Sequence, residues 1–183
     1  MRLNYKRTFF IGMAFMSISS FWQLYDNIIP LILQNNFGIG ETLTGGIMAI
    51  DNILALFLLP FFGALSDRVD TPLGKRTPFI IGGTAFAIIF MMVIPYAAKT
   101  TNFWLFFVSL GLVLLTMGTY RSPAVALMPD LTPKVYRSSA NAVINLLGAV
   151  GGITTLIFIR FLVPSGPLPD YTKLFFAVAI FMV

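Results

Sequence analysis

The chain alternates long apolar runs with short polar breaks. Residues 8–25, 77–98, 100–120 and 138–159 carry no charge, residues 42–66 are interrupted only by Asp51, and residues 174–183 are again apolar. A bilayer core about 30 Å thick is crossed by about 20 apolar residues in a helix. Each full run therefore matches one crossing. The pattern predicts spans over about residues 8–33, 43–65, 78–98, 103–128 and 139–163, with a sixth, incomplete one over 173–183. The segments between them are rich in Gly, Pro, Asn, Thr or charge, as helix breakers are. Runs such as Phe57-Leu58-Leu59 and Phe79-Ile80-Ile81 do not alternate, which argues against the dyad pattern of a membrane β-barrel. The expectation is an all-α membrane protein.

Composition sharpens this. Only 10% of the 183 residues are charged, against about 25% in soluble chains, so most of the surface faces lipid. There is no Cys and no His, which removes disulfide scaffolds, thiol catalysis and the commonest metal ligand and general base. No phosphate-binding Gly loop, metal cluster or nucleophile triad stands in the sequence. The expectation is a protein that is not an enzyme, with no cofactor, no metal and no soluble second domain.

The formal charge is +5, and where the charges sit matters more than their sum. Eight of the twelve basic residues fall on one side: Arg2, Lys6 and Arg7 before the first span, Arg68, Lys75 and Arg76 after the second, Lys134 and Arg137 after the fourth. Lys99 and Lys173 fall on the other side, and Arg121 and Arg160 lie within spans. Basic loops stay in the cytoplasm, so the expected topology is multi-pass in the cell membrane with the amino terminus cytoplasmic. The charge reads as orientation and calls for no nucleic-acid partner. A signal peptide is the competing reading of the amino terminus. The first apolar run continues past Ser20 to Leu33, too long for the apolar region of a signal peptide.

The most specific motif follows the second span: Gly63-Ala64-Leu65-Ser66-Asp67-Arg68, then Gly74-Lys75-Arg76-Thr77-Pro78-Phe79. Gly63 lets two helices approach, Asp67 closes the span, and the cluster of Arg68, Lys75 and Arg76 can latch onto carboxylates or helix C-termini. The plainer reading is that a basic loop orients the chain and latches nothing. The segment resembles the cytoplasmic loop motif of the major facilitator superfamily, in the longer SDR, GRR, PF form of its sucrose/proton symporters and its glycoside-pentoside-hexuronide/cation symporters. Lys75 replaces one Arg. A second similarity covers Pro123-Ala124-Val125-Ala126-Leu127-Met128-Pro129-Asp130-Leu131 and Arg137-Ser138-Ser139-Ala140-Asn141-Ala142. The sucrose symporters carry an Arg where this chain has Val125. The nearest here is Arg121, one helical turn earlier, on nearly the same face and about 6 Å along the axis.

Charges inside spans are costly, which makes Asp26, Asp51 and Arg121 functional candidates. Asp26 lies about 27 Å along its helix from Thr8, and Asp51 about 12 Å from the outer end of the second span. The two carboxylates therefore share a depth and are candidates for coupling to a proton or cation. The alternative is a loop cap or a neighbour's hydrogen-bond partner. Arg121 offers a planar fork of donors for sugar hydroxyls or a carboxylate, and the alternative is snorkelling to the interface. Tyr25-Asp26 and Tyr120-Arg121 stand at equal distances into the first and fourth spans, as equivalent positions of an inverted repeat would. Trp22, Gln23, Asn27, Asn52, Asn141 and Asn145 complete the candidate solute contacts. Interhelical hydrogen bonding, or belt anchoring for Trp22, is the alternative for each. Gly148, Gly151 and Gly152 suit close helix packing.

The resemblance implies the amino-terminal six-helix half of a twelve-helix transporter, its sixth helix truncated in this chain. Such a carrier moves a sugar, glycoside or similar small polar solute with H+ or Na+ by alternating access. Its expected partners are that solute, the cation, the bilayer, and a carboxy-terminal half-bundle or a second copy. The opposing expectation is a non-transporting integral membrane fragment that acts as an assembly or interaction partner.

Overall fold

The computed structural model describes residues 5–72, 74–164, 166 and 168–183. Arg2 of the basic amino terminus and Leu73 of the loop motif lie outside the described residues. Six α-helices follow one another: α1 Tyr5–Asn35, α2 Glu41–Arg68, α3 Thr77–Lys99, α4 Phe103–Leu131, α5 Arg137–Leu162 and α6 Thr172–Met182. A single 3-10 turn, Lys134–Tyr136, leads into α5. No strand occurs among the described residues.

Local chemistry sets the helix ends. Gly38, at φ 63°, closes α1, its N–H bonded to the Gln34 carbonyl and the Ile39 N–H reaching back to the Leu33 carbonyl, so that a glycine turn satisfies the last carbonyls of the helix. Asn102 caps α4 by accepting from the Leu105 N–H at 3.1 Å. Asp170 accepts from both the backbone and the hydroxyl of Thr172 at the start of α6. Those bonds, with Lys99 nearby, hold its carboxyl below the usual carboxylate range.

Among the described residues four segments are long and apolar enough to cross a membrane: α2, α3, α4, and the 3-10 turn with α5. The protein is therefore a membrane-embedded multi-pass chain. The first expected crossing stands apart from these four. At 31 residues α1 has the length, but Ser17, Ser19, Ser20, Gln23, Asp26 and Asn27 make it the least apolar of the long helices. It is also the most interior. It contacts α5, α6, α4 and α2, so Ser17 and Ser20 are buried and Ser19, Gln23 and Asn27 half-buried against protein, while Asp26 stays exposed.

The pairing has an internal order. α1 lies along α5 and α4 along α2, while α3 pairs with α4 and α6 with α1. Replacing each helix by the one three places on exchanges these pairs, and α1 and α4 run in opposite directions. That is the relation of an inverted repeat.

The α1–α5 seam is the tightest. A Cβ on Gly151 would collide with the Met16 carbonyl oxygen and come within 2.9 Å of Ser20 Oγ, and one on Gly148 would come within 3.0 Å of Ser19 Oγ. The close approach lets Ser20 Oγ donate to the Gly151 carbonyl at 3.1 Å and Thr155 Oγ1 donate to the Ser20 carbonyl at 3.3 Å. Both hydroxyls are fully buried. Gly151→Val should force the helices apart and cost about 1–3 kcal/mol. Thermal unfolding in detergent checks it, and an unchanged midpoint would show that the seam yields without loss.

Candidate functional site

Two polar constellations stand out, one at the basic end of the bundle and one within it. At the basic end, Arg76 sits just before α3 and is 9% exposed. Its Nη2 donates to Asp67 Oδ1 at 2.8 Å, its Nε to Asp130 Oδ2 at 2.5 Å, and its Nη1 to Ser66 Oγ at 3.3 Å. One guanidinium thus ties the C-terminal ends of α2 and α4 to the start of α3. Of the three expected latch cations only Arg76 fills this role. Arg68 and Lys75 are exposed. Gly74, at φ 94°, forms the turn, its N–H bonded to the Thr71 carbonyl and its own carbonyl accepting from Thr71 Oγ1. Gly63 is in close contact with Ser122 of α4.

The sequence reading did not single out Asp130 and Ser66. A signal for Asp130 existed, because a carboxylate in the last turn of a helix opposes the helix dipole and calls for a cation. Arg137 strengthens the same end, donating to the Pro129 carbonyl at 2.9 Å and the Thr132 carbonyl at 3.4 Å.

Within the bundle, Trp22 of α1, Asp51 of α2 and Arg121 of α4 line one small cavity with Leu54, Leu58 and Gly118. The Arg121 guanidinium carbon stands 5.2 Å from the centre of the Trp22 ring, the geometry of a cation–π contact. The guanidinium is therefore turned into the bundle and does not reach for the interface. Asp51 lies within electrostatic reach of Arg121, and Asp26 within reach of Asp51. Phe21, Trp22 and Tyr25 form an aromatic cluster, with the Trp22 and Tyr25 rings 5.3 Å apart. The Trp22 Nε1–H and the Tyr25 hydroxyl are buried and lack a hydrogen-bond partner. Such unsatisfied groups are rare in a finished interior.

The other expected residues fall on two faces. Gln23 approaches α5 at Gly152, and Asn27 Nδ2 donates to the Gln23 carbonyl at 2.7 Å. Asn141 and Asn145 are exposed, one turn apart on α5. Asn52 is exposed on α2 and donates its backbone N–H and Nδ2 to Asp51 Oδ1 at 2.7 and 3.0 Å. Tyr120 is not brought to the cavity. Consecutive helix residues point about 100° apart, and its side chain leaves α4 beside α3, where a Cβ on Gly83 would lie 2.8 Å from its own Cβ, and runs towards α1. Its hydroxyl donates to the Ala14 carbonyl at 2.8 Å. Ser122 and Gly118, which shape the α2–α4 contact, were not singled out in the sequence. A small residue is no distinctive signal inside an apolar span.

The chain is an all-α bundle with inverted pairing, an arginine tie at its basic end and a charged, aromatic cavity between α1, α2 and α4. The sequence profile of the Major Facilitator Superfamily matches residues 2–183, and the chain belongs to that family. It is similar to sucrose transport protein SUC3 of Arabidopsis thaliana, 28% identical over 151 residues that cover 72% of this chain and 25% of that protein. An uncharacterized symporter of Synechocystis sp. is 28% identical over 142 residues, 73% of this chain and 26% of the symporter. Sucrose transport protein SUT3 of Oryza sativa subsp. indica is 28% identical over 158 residues, 72% of this chain and 30% of that protein. The match spans less than a third of each of these relatives.

Arg76→Lys tests the tie. An ammonium cannot serve two carboxylates and a hydroxyl in the planar geometry of a guanidinium. The variant should lose about 1–2 kcal/mol of stability in detergent, discounted for the half-exposed carboxylates. Unchanged unfolding would mean that one point charge suffices.

Proposed function

We propose that the chain is the amino-terminal half of a secondary active transporter that carries a sugar, glycoside or similar small polar solute across the cell membrane. Transport is coupled to H+ or Na+ and the amino terminus is cytoplasmic. The observation that carries this reading is the meeting of Arg121, Trp22 and Asp51 around one cavity. A charge inside a span is costly, and here it stands beside an aromatic face of the kind that stacks on a sugar ring. The names of the relatives, sucrose transport proteins and a symporter, support the solute class and the coupling.

In the proposed cycle, Asp51 and Asp26 take up the proton or cation. Arg121, with Trp22, Tyr25, Gln23 and Asn27 of α1 and Asn52, Asn141 and Asn145 of the flanking helices, contacts the solute. A second half-bundle or a second copy closes the other side. The two halves rock about the midplane, and the loaded cation changes which state is favoured. The tie made by Arg76, with Gly63, Asp67, Arg68, Gly74 and Lys75 around it, acts as the latch of the cytoplasmic side. The cycle asks no catalysis of the chain and no cofactor.

Uptake of a panel of labelled mono- and disaccharides into vesicles carrying the full-length gene product, with and without an imposed H+ or Na+ gradient, tests the reading. Gradient-dependent uptake supports it, and no uptake of any sugar counts against the solute class. Asp51→Asn should insert normally and lose uphill accumulation while downhill movement persists. Accumulation at the wild-type level would remove Asp51 from coupling. Arg121→Lys should raise the apparent KM about tenfold or more, since an ammonium replaces a fork of five donors. An unchanged KM would count against a solute-binding guanidinium.

A further inference from the structure

We propose that Ser122 is a positioning residue: by bonding to the α2 backbone beside Pro60 it sets the register of α2 against α4, and with it the separation of Asp51 from Arg121. The inference rests on the reading of Asp51 and Arg121 as the working charges, and it adds a residue that touches neither solute nor ion.

The geometry is local. Ser122 Oγ donates to the Leu59 carbonyl at 2.7 Å. Among the described residues it is the one side-chain hydrogen bond that joins α2 directly to α4. The acceptor directly precedes Pro60, which lies inside α2. Proline has no N–H and its ring crowds the preceding turn, so the carbonyl it leaves without a helical donor is that of Leu56, four residues earlier. The Leu59 carbonyl, beside that weakened turn, accepts from Ser122 across the α2–α4 contact. Two glycines make the approach close enough. A Cβ on Gly63 would lie 3.0 Å from Ser122 Oγ, and one on Gly118 would lie 3.2 Å from Leu58 Cβ. The contact thus runs from Leu58 and Gly118 to Gly63 and Ser122, with the hydrogen bond as its only directional element.

The cavity lies directly above this contact. Leu58, Leu59, Gly118 and Arg121 all line it, and Asp51 lies two turns along α2 from Leu58. Packing alone tolerates sliding of one apolar helix along another, because dispersion has little direction. A hydroxyl-to-carbonyl bond does not. Any slide of α2 that breaks the Leu59 bond also moves Asp51 relative to a guanidinium held over Trp22. α4 carries its own Pro123 directly after Ser122, so the bond fastens two proline-interrupted helices at one depth. Beyond it, Arg76 holds their far ends together.

Two measurements on the full-length gene product test the assignment. The first is independent of transport. The chain has no Cys, so the pair Leu58→Cys and Gly118→Cys, placed in a background without other thiols, reports the α2–α4 register. Its Cβ separation is close to the 3.5–4.5 Å of a disulfide, roughly. Mild oxidation should crosslink the pair readily with Ser122 in place. Crosslinking should be about threefold to tenfold slower with Ser122→Ala, the scale of one interhelical hydrogen bond in lipid. It should return with Ser122→Thr, which keeps the hydroxyl. The second is the KM-against-kcat split for whichever solute the wild-type protein carries. Ser122→Ala should raise the apparent KM by a similar factor with kcat within about twofold, and Ser122→Thr should restore it. Alanine is the better helix former, so insertion is expected to be kept.

Equal crosslinking rates in the Ser122 and Ser122→Ala proteins overturn the proposal, whatever happens to uptake. A threonine variant as impaired as the alanine variant also overturns it, because the hydroxyl would then not be the agent. Failure of the wild-type protein to carry any sugar would count against the solute class, and the crosslinking result would still decide the register.

Discussion

Hydrocarbon supplies no hydrogen bonds, so every polar group in this bundle has to find its partner inside the protein. That constraint orders the structure. The polar residues of α1 send this helix to the interior, where α4, α5 and α6 can meet it. Ser20 and Thr155 solve the problem pairwise, each hydroxyl reaching a carbonyl across a seam that glycine keeps narrow. Tyr120 solves it by spanning to the Ala14 carbonyl. Of the three buried side-chain atoms left without a partner among the described residues, the Trp22 N–H and the Tyr25 hydroxyl belong to the aromatic cluster beside the cavity, and Asn36 Oδ1 lies just beyond the end of α1.

The inverted pairing gives the same arrangement two different uses. Tyr25 and Tyr120 occupy corresponding places in α1 and α4, and both are buried, 2% and 1% exposed. One hydroxyl is satisfied inside the bundle and the other is not. The residues after them differ in sign, Asp26 on α1 and Arg121 on α4. Symmetry of the backbone thus carries asymmetry of the chemistry: Arg121 is half-buried at the cavity, while Asp26 is exposed on α1.

Much of this was legible in the order of residues. The apolar runs announced helices, because lipid demands a full crossing of apolar side chains, and the Gly-Asp-Arg and Gly-Lys-Arg motif announced a tie at the basic end. The partners of that tie were harder to read. Arg76 and Asp130 are 54 positions apart, and Ser122 and Leu59 are 63 apart. One-dimensional periodicity does not say which face of one helix meets which face of another. The adjacent pair Tyr120-Arg121 shows the limit. Both looked like site residues, yet a turn of about 100° between neighbours sends one beside α3 towards α1 and the other to the cavity. The apolar signal was weakest for α1 for a physical reason, since a helix enclosed by other helices no longer has to match the lipid.

The knot around Arg76 also brings together three helix ends of opposite polarity. α2 and α4 finish there with their partial negative charge, and α3 begins there with its partial positive charge, so the antiparallel order already favours the cluster before any side chain is counted. Asp67 and Asp130 remain about half exposed, with side chains 61% and 51% accessible. Salt at physiological strength screens charges beyond about 8 Å and weakens exposed pairs first. Ionic strength therefore acts unevenly on the two charge centres, loosening the membrane-surface knot while the enclosed guanidinium over Trp22 feels little of it. The aqueous medium on that side therefore tunes the Arg76 tie, while the Ser122 bond and the glycine contacts hold α2 to α4 within the bundle.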